Sequence, residues 1–246
     1  MVTKLVDVLL LPDMQPNFGL MYDCTAVVDV LRASTTIITA IANGAVEVIP
    51  VKSIEEALEH RAKGYLVCGE RGGLKPQGFD LGNSPLEYTK ERILGKKICI
   101  TTSNGTRALL KAHTLSRHVY IGGFVNLSAL VEKLAEFEKI LILCSGNEGR
   151  VSFEDSLLAG AIVSRIASNY KTEVRAENVF LSDSALIVEK LWEKFGFPNL
   201  IGTHARKLIE LGFTADVEFA KRVDYYPVVP EYSEGIVRGI FSNTLR

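Results

Sequence analysis

Short apolar runs of strand length alternate with helix-length segments along most of this 246-residue chain. Such alternation predicts an α/β fold, because helices are needed to cover the apolar faces of a sheet. We expect a three-layer α/β/α arrangement with a largely parallel or mixed sheet. The predicted strands cover residues 4–11, 25–31, 46–51, 65–70, 97–101, 118–123 and 139–144.

Helical signals fill the spaces between these strands. In the segment 53–64, Ser53 and Glu56 have the spacing of a capping box, and Gly64 provides a C-terminal stop. Beyond residue 170 the alternation ends, and two further helices precede a proline-interrupted tail. The predicted helices cover 34–44, 53–64, 126–139, 182–196 and 203–213, and the tail covers 224–241.

The stretches 26–70 and 97–148 share one order of elements: strand, hydroxyl-rich turn, helix, strand, helix, strand and a turn with Gly and Glu. This order suggests a degenerate duplication within a single unit, 1–246, with halves of about 1–95 and 96–246. The alternative is a plain succession of βα units. If the duplication is real, both halves would present strand ends at one cleft, where open α/β sheets bind ligands.

The net charge and the lengths of the apolar segments argue against nucleic-acid binding and against a membrane-spanning protein. The net charge of −1 leaves no basic field for nucleic acid, and no apolar segment approaches the length that crosses a bilayer. The four cysteines form no C-x-x-C pair, so they are expected to be small buried side chains in a reducing compartment rather than disulfides or zinc ligands. We therefore expect a cytoplasmic protein.

The segment "TTSNGTRALL" (101–110) places hydroxyls, an Asn-Gly pair and an arginine where a strand passes into a helix. A turn of this kind directs N–H groups and the positive end of the helix dipole outward, which suits phosphate. The candidate phosphate-binding residues are Ser103, Asn104, Gly105 and Thr106, with Arg107 as a charged partner. The alternative is an ordinary helix cap made by Ser103 or Asn104.

The segment "VVDVLRASTT" (27–36) places Asp29 at the end of a very apolar strand. A buried carboxylate is costly unless it is paired or binds a metal. Two interpretations stay open at this point. In one, Arg32 pairs with Asp29; in the other, Asp29 binds a hard cation while Arg32 meets an anionic ligand.

A glycine- and proline-rich loop, "CGERGGLKPQGFDLGNSP" (68–85), carries Glu70, Arg71, Asp80, Asn83 and Ser84. Long loops of this composition contribute little to a core and often hold functional groups. The alternative is a solvated surface loop.

The segment "CSGNEGRVSFEDSLLAGAI" (144–162) brings Glu148, Arg150, Glu154 and Asp155 ahead of an apolar helix. Carboxylates in a first helical turn are favoured by the dipole alone. Oxygen ligands beside phosphate-type turns are, however, also what Mg²⁺ requires.

The histidines are scattered, without an H-x-H or H-E-x-x-H pattern, so zinc is disfavoured and a hard, oxygen-liganded metal is preferred. Only His204, beside Arg206, is retained as a candidate site residue. Several carboxylates and arginines set in glycine-rich turns together indicate metal-assisted phosphoryl chemistry on a small polyanion.

The ordered set of phrases "VVDVLRASTTI", "ERGG", "GFDLGNSP", "TTSNGTRAL", "CSGNEGRVSFEDSLLAG" and "HARKLIELGFTADVEFAKRVD" resembles the 2-phosphosulfolactate phosphatase family. The resemblance spans most of the chain. It implies an α/β/α fold and a Mg²⁺-dependent hydrolysis of (R)-2-phospho-3-sulfolactate to sulfolactate and phosphate, a step on the route to coenzyme M.

With this resemblance, the candidate residues take hypothetical roles. The catalytic candidates are Asp29, Arg32, Arg107 and Asp155. The candidates for holding Mg²⁺ or its waters are Asp29, Glu70, Asp80 and Asp155, with Glu148 and Glu154 in reserve. The turn Ser103–Thr106 would bind phosphate oxygens, and the anionic groups would be shared by Arg32, Arg71, Arg107 and Arg150. Direct attack by water and an aspartyl-phosphate on Asp29 both stay open.

Other functions compete with this one. A non-catalytic binder of small sulfonates or phosphates would use the same arginines without a metal. A phosphatase that acts on another phosphorylated 2-hydroxy acid, or a mutase, would use the same site. The expected partner is a small anionic phosphorylated substrate, with no nucleic acid and no membrane. The apolar tail segment 235–241 offers a surface for a homo-oligomer.

Overall fold

A computed structural model describes residues 4–18, 21–171 and 179–241 of the chain. These residues form one mixed sheet of ten strands flanked by helices, which confirms the α/β prediction. The strands are β1 (Lys4–Leu9), β2 (Tyr22–Val28), β3 (Glu47–Pro50), β4 (Tyr65–Gly69), β5 (Lys97–Thr101), β6 (Ser116–Gly122), β7 (Lys139–Cys144), β8 (Val179–Leu181), β9 (Val228–Ser233) and β10 (Ile236–Phe241).

The strand order is β4-β5-β3-β10-β9-β6-β2-β7-β1-β8. The strands β4, β5 and β3 are parallel to one another, and so are β6, β2, β7, β1 and β8. The hairpin β9–β10 lies between these two parallel groups and pairs antiparallel with both. Because three antiparallel steps separate β3 from β6, the two parallel groups run in opposite senses.

Nine α-helices are found in the described residues, and two short 3-10 helices cover 85–87 and 124–126. The α-helices are α1 (Ala33–Ala42), α2 (Ile54–Arg61), α3 (Lys90–Ile93), α4 (Gly105–Leu115), α5 (Leu127–Ala135), α6 (Phe153–Lys171), α7 (Asp183–Phe195), α8 (Thr203–Glu210) and α9 (Thr214–Ala220).

Local sequence signals explain several element boundaries. Ser53 caps α2 by accepting a hydrogen bond from the Glu56 backbone N–H at 3.0 Å, as its spacing predicts. The Glu56 side chain reaches back to the backbone N–H of Lys52 at 3.0 Å. The strands β5 and β7 have the predicted bounds, because each is an apolar run between a lysine and a polar turn.

The sheet has a hydrophobic core on each face. In β7, Ile140 and Ile142 pack into the core with α5 and α6, while Leu141 and Leu143 pack into the core with α1 and α4. This alternation follows from the two-residue period of a strand and makes both faces of the sheet buried. The layers are therefore helix, sheet and helix, as predicted.

The proline-interrupted tail 224–241 contains two strands that were not among those predicted. It forms β9 and β10, which occupy the middle of the sheet. Pro230 lies within β9, opposite Gly239 of β10. The segment 235–241, predicted as an oligomer surface, is used here within the sheet.

The two parallel groups do not coincide with residues 1–95 and 96–246, because β5 pairs with β3 and β4 while β6 pairs with β2. The duplication stays a prediction. All four cysteines are buried and free. Across the described residues, no helix is long and apolar enough to span a bilayer.

Candidate functional site

A cleft opens where the loops after β2, β4, β5 and β7 meet α8. It has a buried part, which we call the deep end, and an exposed part, which we call the mouth. The deep end is lined by Asp29, Arg32, Glu70, Asn83 and Thr102, and the mouth is lined by Glu148 and Lys207.

Asp29 follows the last residue of β2 and lies four residues before the first residue of α1. It is 5 % exposed, and its Oδ1 accepts a hydrogen bond from the backbone N–H of Ala33 at 3.3 Å. Burial raises the pKa of Asp29 to about 7, the Ser145 hydroxyl opposes this rise, and the charge of Glu70 adds to it. Asp29 therefore carries a carboxylate that gains from any nearby positive charge.

Glu70 joins the loops that follow β4 and β5. Its Oε1 accepts from the backbone N–H of Ser103 at 2.7 Å, and its Oε2 accepts from that of Gly73 at 2.8 Å. The side chain is buried, and its charge acts on Asp29. Two carboxylates thus approach each other in the deep end, which is unfavourable without a cation between or beside them.

Two buried oxygen atoms in the deep end lack a partner. Asn83 Oδ1 and Thr102 Oγ1 make no hydrogen bond to any described residue, although both atoms are shielded from solvent. Buried polar atoms are normally satisfied, so a pair of exceptions in one cleft indicates a place for a bound polar group. Both atoms are hard oxygen donors.

Arg32 is held by groups from distant parts of the chain. Its Nη1 donates to Asp216 Oδ2 at 2.7 Å, its Nη2 donates to the carbonyl of Gly73 at 2.6 Å, and its guanidinium lies 4.2 Å from the ring centre of Phe213. The interpretation in which Arg32 pairs with Asp29 is therefore wrong, because Asp216 of α9 is its partner. Sequence spacing gave no sign of this 184-residue separation.

The segment 103–107 is divided between the cleft and its surroundings. Ser103 and Asn104 line the cleft before the first turn of α4, whereas Thr106 lines a neighbouring apolar pocket. A Cβ on Gly105 would lie 3.0 Å from Asp29 Oδ2, so glycine allows the helix start to approach the carboxylate. Arg107 lies outside the cleft and pairs with Asp13 at the surface.

Helix α8 forms the wall opposite these loops. His204, Lys207, Leu208 and Leu211 of this helix and its C-terminal end face the cleft. Burial and then the charge of Arg32 lower the pKa of His204 to about 4, so its imidazole is neutral at pH 7. Lys207 Nζ donates to Glu148 Oε1 at 2.8 Å across the mouth.

Asp155 lies buried beside the site rather than in it. Its Oδ1 accepts from the Val30 backbone N–H at 2.9 Å, and its Oδ2 accepts from that of Gly146 at 3.1 Å. It therefore ties the loop after β2 to the loop after β7. Burial, together with the charge of Asp29, raises the pKa of Asp155 well above its ordinary range.

Four other candidates do not line the cleft. Glu154 accepts from the backbone N–H of Gly202 at 2.7 Å, and Asp80 accepts from Arg61 at 3.0 Å and from the Val67 backbone at 2.7 Å. The remaining two are arginines: Arg71 donates to Thr101 Oγ1 at 2.8 Å, and Arg150 is exposed on the turn that carries Glu148.

Sequence reasoning missed Lys207 and Asp216 as site residues. Lys207 lies three residues after His204, so the helical period places both on one face of α8. That signal was available in the phrase "HARK". Asp216 had no such signal, because its contact with Arg32 depends on how the C-terminal helices pack.

No three His, Cys, Asp or Glu side chains come together as a metal-binding group in the described part of the chain. The deep end nevertheless fits a hard cation, because it combines two mutually repelling carboxylates with two unpartnered oxygens. Mg²⁺ is commonly bound through one or two carboxylates, with water and substrate phosphate completing its octahedron. Of the predicted ligands, Asp29 and Glu70 lie in the deep end and the reserve candidate Glu148 lies at the mouth, whereas Asp80, Asp155 and Glu154 do not line the cleft.

Comparison with known proteins gives one consistent result. The sequence model of the family described as 2-phosphosulpholactate phosphatase matches residues 10–235. A protein of Thermotoga petrophila is 47 % identical over 214 residues, which cover 85 % of this chain and 89 % of the relative. A protein of Pseudothermotoga lettingae is 41 % identical over 235 residues, which cover 94 % and 96 %. Both relatives are named probable 2-phosphosulfolactate phosphatase.

Proposed function

The chain belongs to the 2-phosphosulfolactate phosphatase family, and we propose that it hydrolyses 2-phospho-3-sulfolactate to sulfolactate and phosphate with the aid of Mg²⁺. The observation that carries this proposal is the deep end of the cleft, where Asp29 and Glu70 lie beside two unpartnered oxygens and the guanidinium of Arg32. The place of this step on the route to coenzyme M and the cytoplasmic location stay predictions.

Charge supports the need for a cation. The substrate carries a phosphate, a sulfonate and a carboxylate, whereas the deep end holds two carboxylates. Its one guanidinium is already paired with the buried Asp216. A polyanion would therefore meet net repulsion there unless a divalent ion were bound.

In this proposal Asp29 and Glu70 hold the ion, and Asn83 Oδ1 and Thr102 Oγ1 serve as further oxygen donors. Bound Mg²⁺ would neutralise charge on the transferring phosphoryl group. Arg32 would direct its remaining N–H groups at the phosphate oxygens, which suits stabilisation of the transition state. Its orientation is fixed by Asp216 and Gly73 before any ligand binds.

The start of α4 would bind the phosphate from the other side. Ser103 and Asn104 line the cleft there, and the positive end of the helix dipole favours an anion. Arg107 would have to leave Asp13 to take part. Asp155 would act by holding the loops that carry Asp29 and Ser145.

The test is release of inorganic phosphate from racemic 2-phosphosulfolactate, with Mg²⁺ and with EDTA, beside 2-phospholactate and phosphoglycerate. We expect metal-dependent release that favours the sulfonate. Asp29→Asn should abolish it, and Asp80→Asn, whose carboxylate lies outside the cleft, should not. Equal release from all three esters would overturn the assignment of 2-phosphosulfolactate as the substrate. Ligand-induced thermal stabilisation without any release of phosphate would instead favour a non-catalytic protein that binds small sulfonates or phosphates.

A further inference from the structure

The ion pair at the mouth of the cleft is built differently from the one in the deep end. Lys207 and Glu148 are 2.8 Å apart, and their side chains are 44 % and 64 % exposed, whereas both side chains of the Arg32–Asp216 pair are 3 % exposed. An exposed ion pair contributes little to stability, because water screens it. Lys207 can therefore exchange its partner at little cost.

Glu148 lies on a turn shaped to place it at the mouth. Its φ of 51° is left-handed, and Gly146 and Gly149 on either side also have positive φ. The Glu148 backbone N–H donates to Asn104 Oδ1 at 3.2 Å, which fixes the turn against the start of α4 without using the carboxylate. The Glu148 side chain is therefore free to release Lys207 while the turn stays in place.

Lys207 is the positively charged side chain at the cleft that can form an ion pair with a ligand. Among the described residues that line the cleft, the positively charged ones are Arg32 and Lys207, and the charge of Arg32 is already matched by a buried carboxylate. His204 stands near both, but its low pKa of about 4 keeps it neutral. A second acid group on a ligand whose phosphate occupies the deep end has Lys207 as its available partner.

We propose that Lys207 binds the sulfonate of the substrate, and that Glu148 occupies Lys207 until the sulfonate displaces it. This inference rests on the proposed function and adds to it the residue that selects a sulfonated substrate. A sulfonate suits this contact because it stays ionised at all relevant pH values. A lysine ammonium can pair with any of its oxygens as a point charge.

The experiment compares 2-phosphosulfolactate with 2-phospholactate, which lacks only the sulfonate. Lys207→Ala should raise KM for the sulfonated ester about tenfold or more, with little change in kcat and little change for 2-phospholactate. Glu148→Gln should lower KM for the sulfonated ester several-fold, because it removes the competing carboxylate. Lys221→Ala is the matched control, because it breaks a comparable exposed ion pair with Glu218 outside the cleft.

A merely structural ion pair predicts a different pattern, in which both variants lose activity alike. Equal effects of Lys207→Ala on the two esters, or a higher KM in Glu148→Gln, would overturn the proposal. If the wild-type protein releases no phosphate, the proposed function fails. Calorimetric titration with 3-sulfolactate and with lactate, in the presence of Mg²⁺, then decides the inference. Sulfonate-dependent binding lost in Lys207→Ala supports it, and unchanged or absent binding refutes it.

Discussion

Stability and function oppose each other at Asp29. Burial raises its pKa to about 7, against an ordinary value of about 4. A carboxyl whose pKa is higher in the folded state favours folding when protonated. Asp29 therefore stabilises the fold most below about pH 4, and this contribution is lost as the pH rises towards 7.

We predict that Asp29→Asn abolishes phosphate release yet raises the Tm at pH 8 in EDTA. Each kcal/mol of relieved desolvation should raise the Tm by about 2–4 °C in a chain of this size. Urea unfolding between pH 5 and pH 8 in EDTA should also show a flatter pH dependence than in wild type. The residual slope would come from Asp155, whose pKa is raised as well, and from His204, whose lowered pKa of about 4 acts in the opposite direction below about pH 6.5.

Asp80→Asn provides the matched control for this experiment. Although burial opposes it, the Val67 N–H and Arg61 lower the pKa of Asp80. A lowered pKa stabilises the fold at neutral pH and loses this effect in acid, so the substitution should slightly lower the Tm at pH 8. An Asp29→Asn protein less stable than wild type at pH 8 would contradict the prediction.

Asp216 acts on the site through Arg32 and is therefore a positioning residue. We predict that Asp216→Asn lowers kcat/KM about tenfold or more, because the guanidinium loses its charged partner and its fixed orientation. The substitution also leaves a buried positive charge uncompensated, so some loss of stability is expected. Activity should be measured well below the Tm, with the folded fraction followed by circular dichroism.

Ser84→Ala separates the contact of Asp216 with Ser84 from its ion pair with Arg32. Ser84 Oγ donates to Asp216 Oδ1 at 2.6 Å, so this variant removes a partner of the carboxylate and leaves Arg32 paired. This variant should keep most of the activity, and its inhibition constant for inorganic phosphate should be close to that of the wild type. If Ser84→Ala and Asp216→Asn reduce kcat/KM equally, orientation of Arg32 is not the reason.

At the scale of elements, the hairpin β9–β10 joins the two parallel groups, and its packing should be costly to disturb. Val237 is fully buried in β10 and lies opposite Val48 of β3. We predict that Val237→Ala lowers the free energy of unfolding by about 1–3 kcal/mol. Urea unfolding measures this cost.

Val223→Ala is the matched control, because Val223 is 41 % exposed and lies just before the hairpin. It should change the free energy of unfolding by less than about 0.5 kcal/mol. Similar losses in the two variants would show that the middle of the sheet is no more sensitive than its surface.

Elements governed by local signals could be predicted from the sequence, and those governed by distant pairing could not. The strands β5 and β7 and the cap of α2 follow from short apolar runs and one Ser-Glu spacing. Pro230 and two glycines made the hairpin resemble an irregular tail, because its partners β3 and β6 lie more than 100 residues earlier.

The same division applies to the cleft. Asp29, Glu70, Ser103 and Asn104 stand directly after strands, and strand ends are the expected positions of ligand-binding residues. Arg71, Arg107 and Arg150 occur in similar phrases, yet their long side chains turn to Thr101, to Asp13 and to solvent. Sequence locates a backbone position better than it locates the end of a flexible side chain.

At the scale of the whole molecule, the charge balance makes binding of a polyanion depend on a local cation. The net charge of −1 provides no long-range attraction. The residues that line the cleft include the carboxylates Asp29, Glu70 and Glu148, against two cations. Asp216 adds a fourth carboxylate behind Arg32. Neither the surface nor the cleft favours a polyanion by itself.

We therefore predict that 3-sulfolactate with inorganic phosphate raises the Tm only when Mg²⁺ is present. A ligand at about 100 times its Kd stabilises a fold by about 2.7 kcal/mol, which corresponds to roughly 5–10 °C here. Scanning calorimetry with Mg²⁺ and with EDTA measures the difference. Glu70→Gln should remove most of the Mg²⁺-dependent shift. Glu47→Gln should keep it, because Glu47 is a buried carboxylate at the start of β3 that pairs with Arg238 and does not line the cleft. An equal shift in EDTA would mean that the arginine, the lysine and the start of α4 suffice to bind the anion, and the two carboxylates of the deep end would then need another explanation.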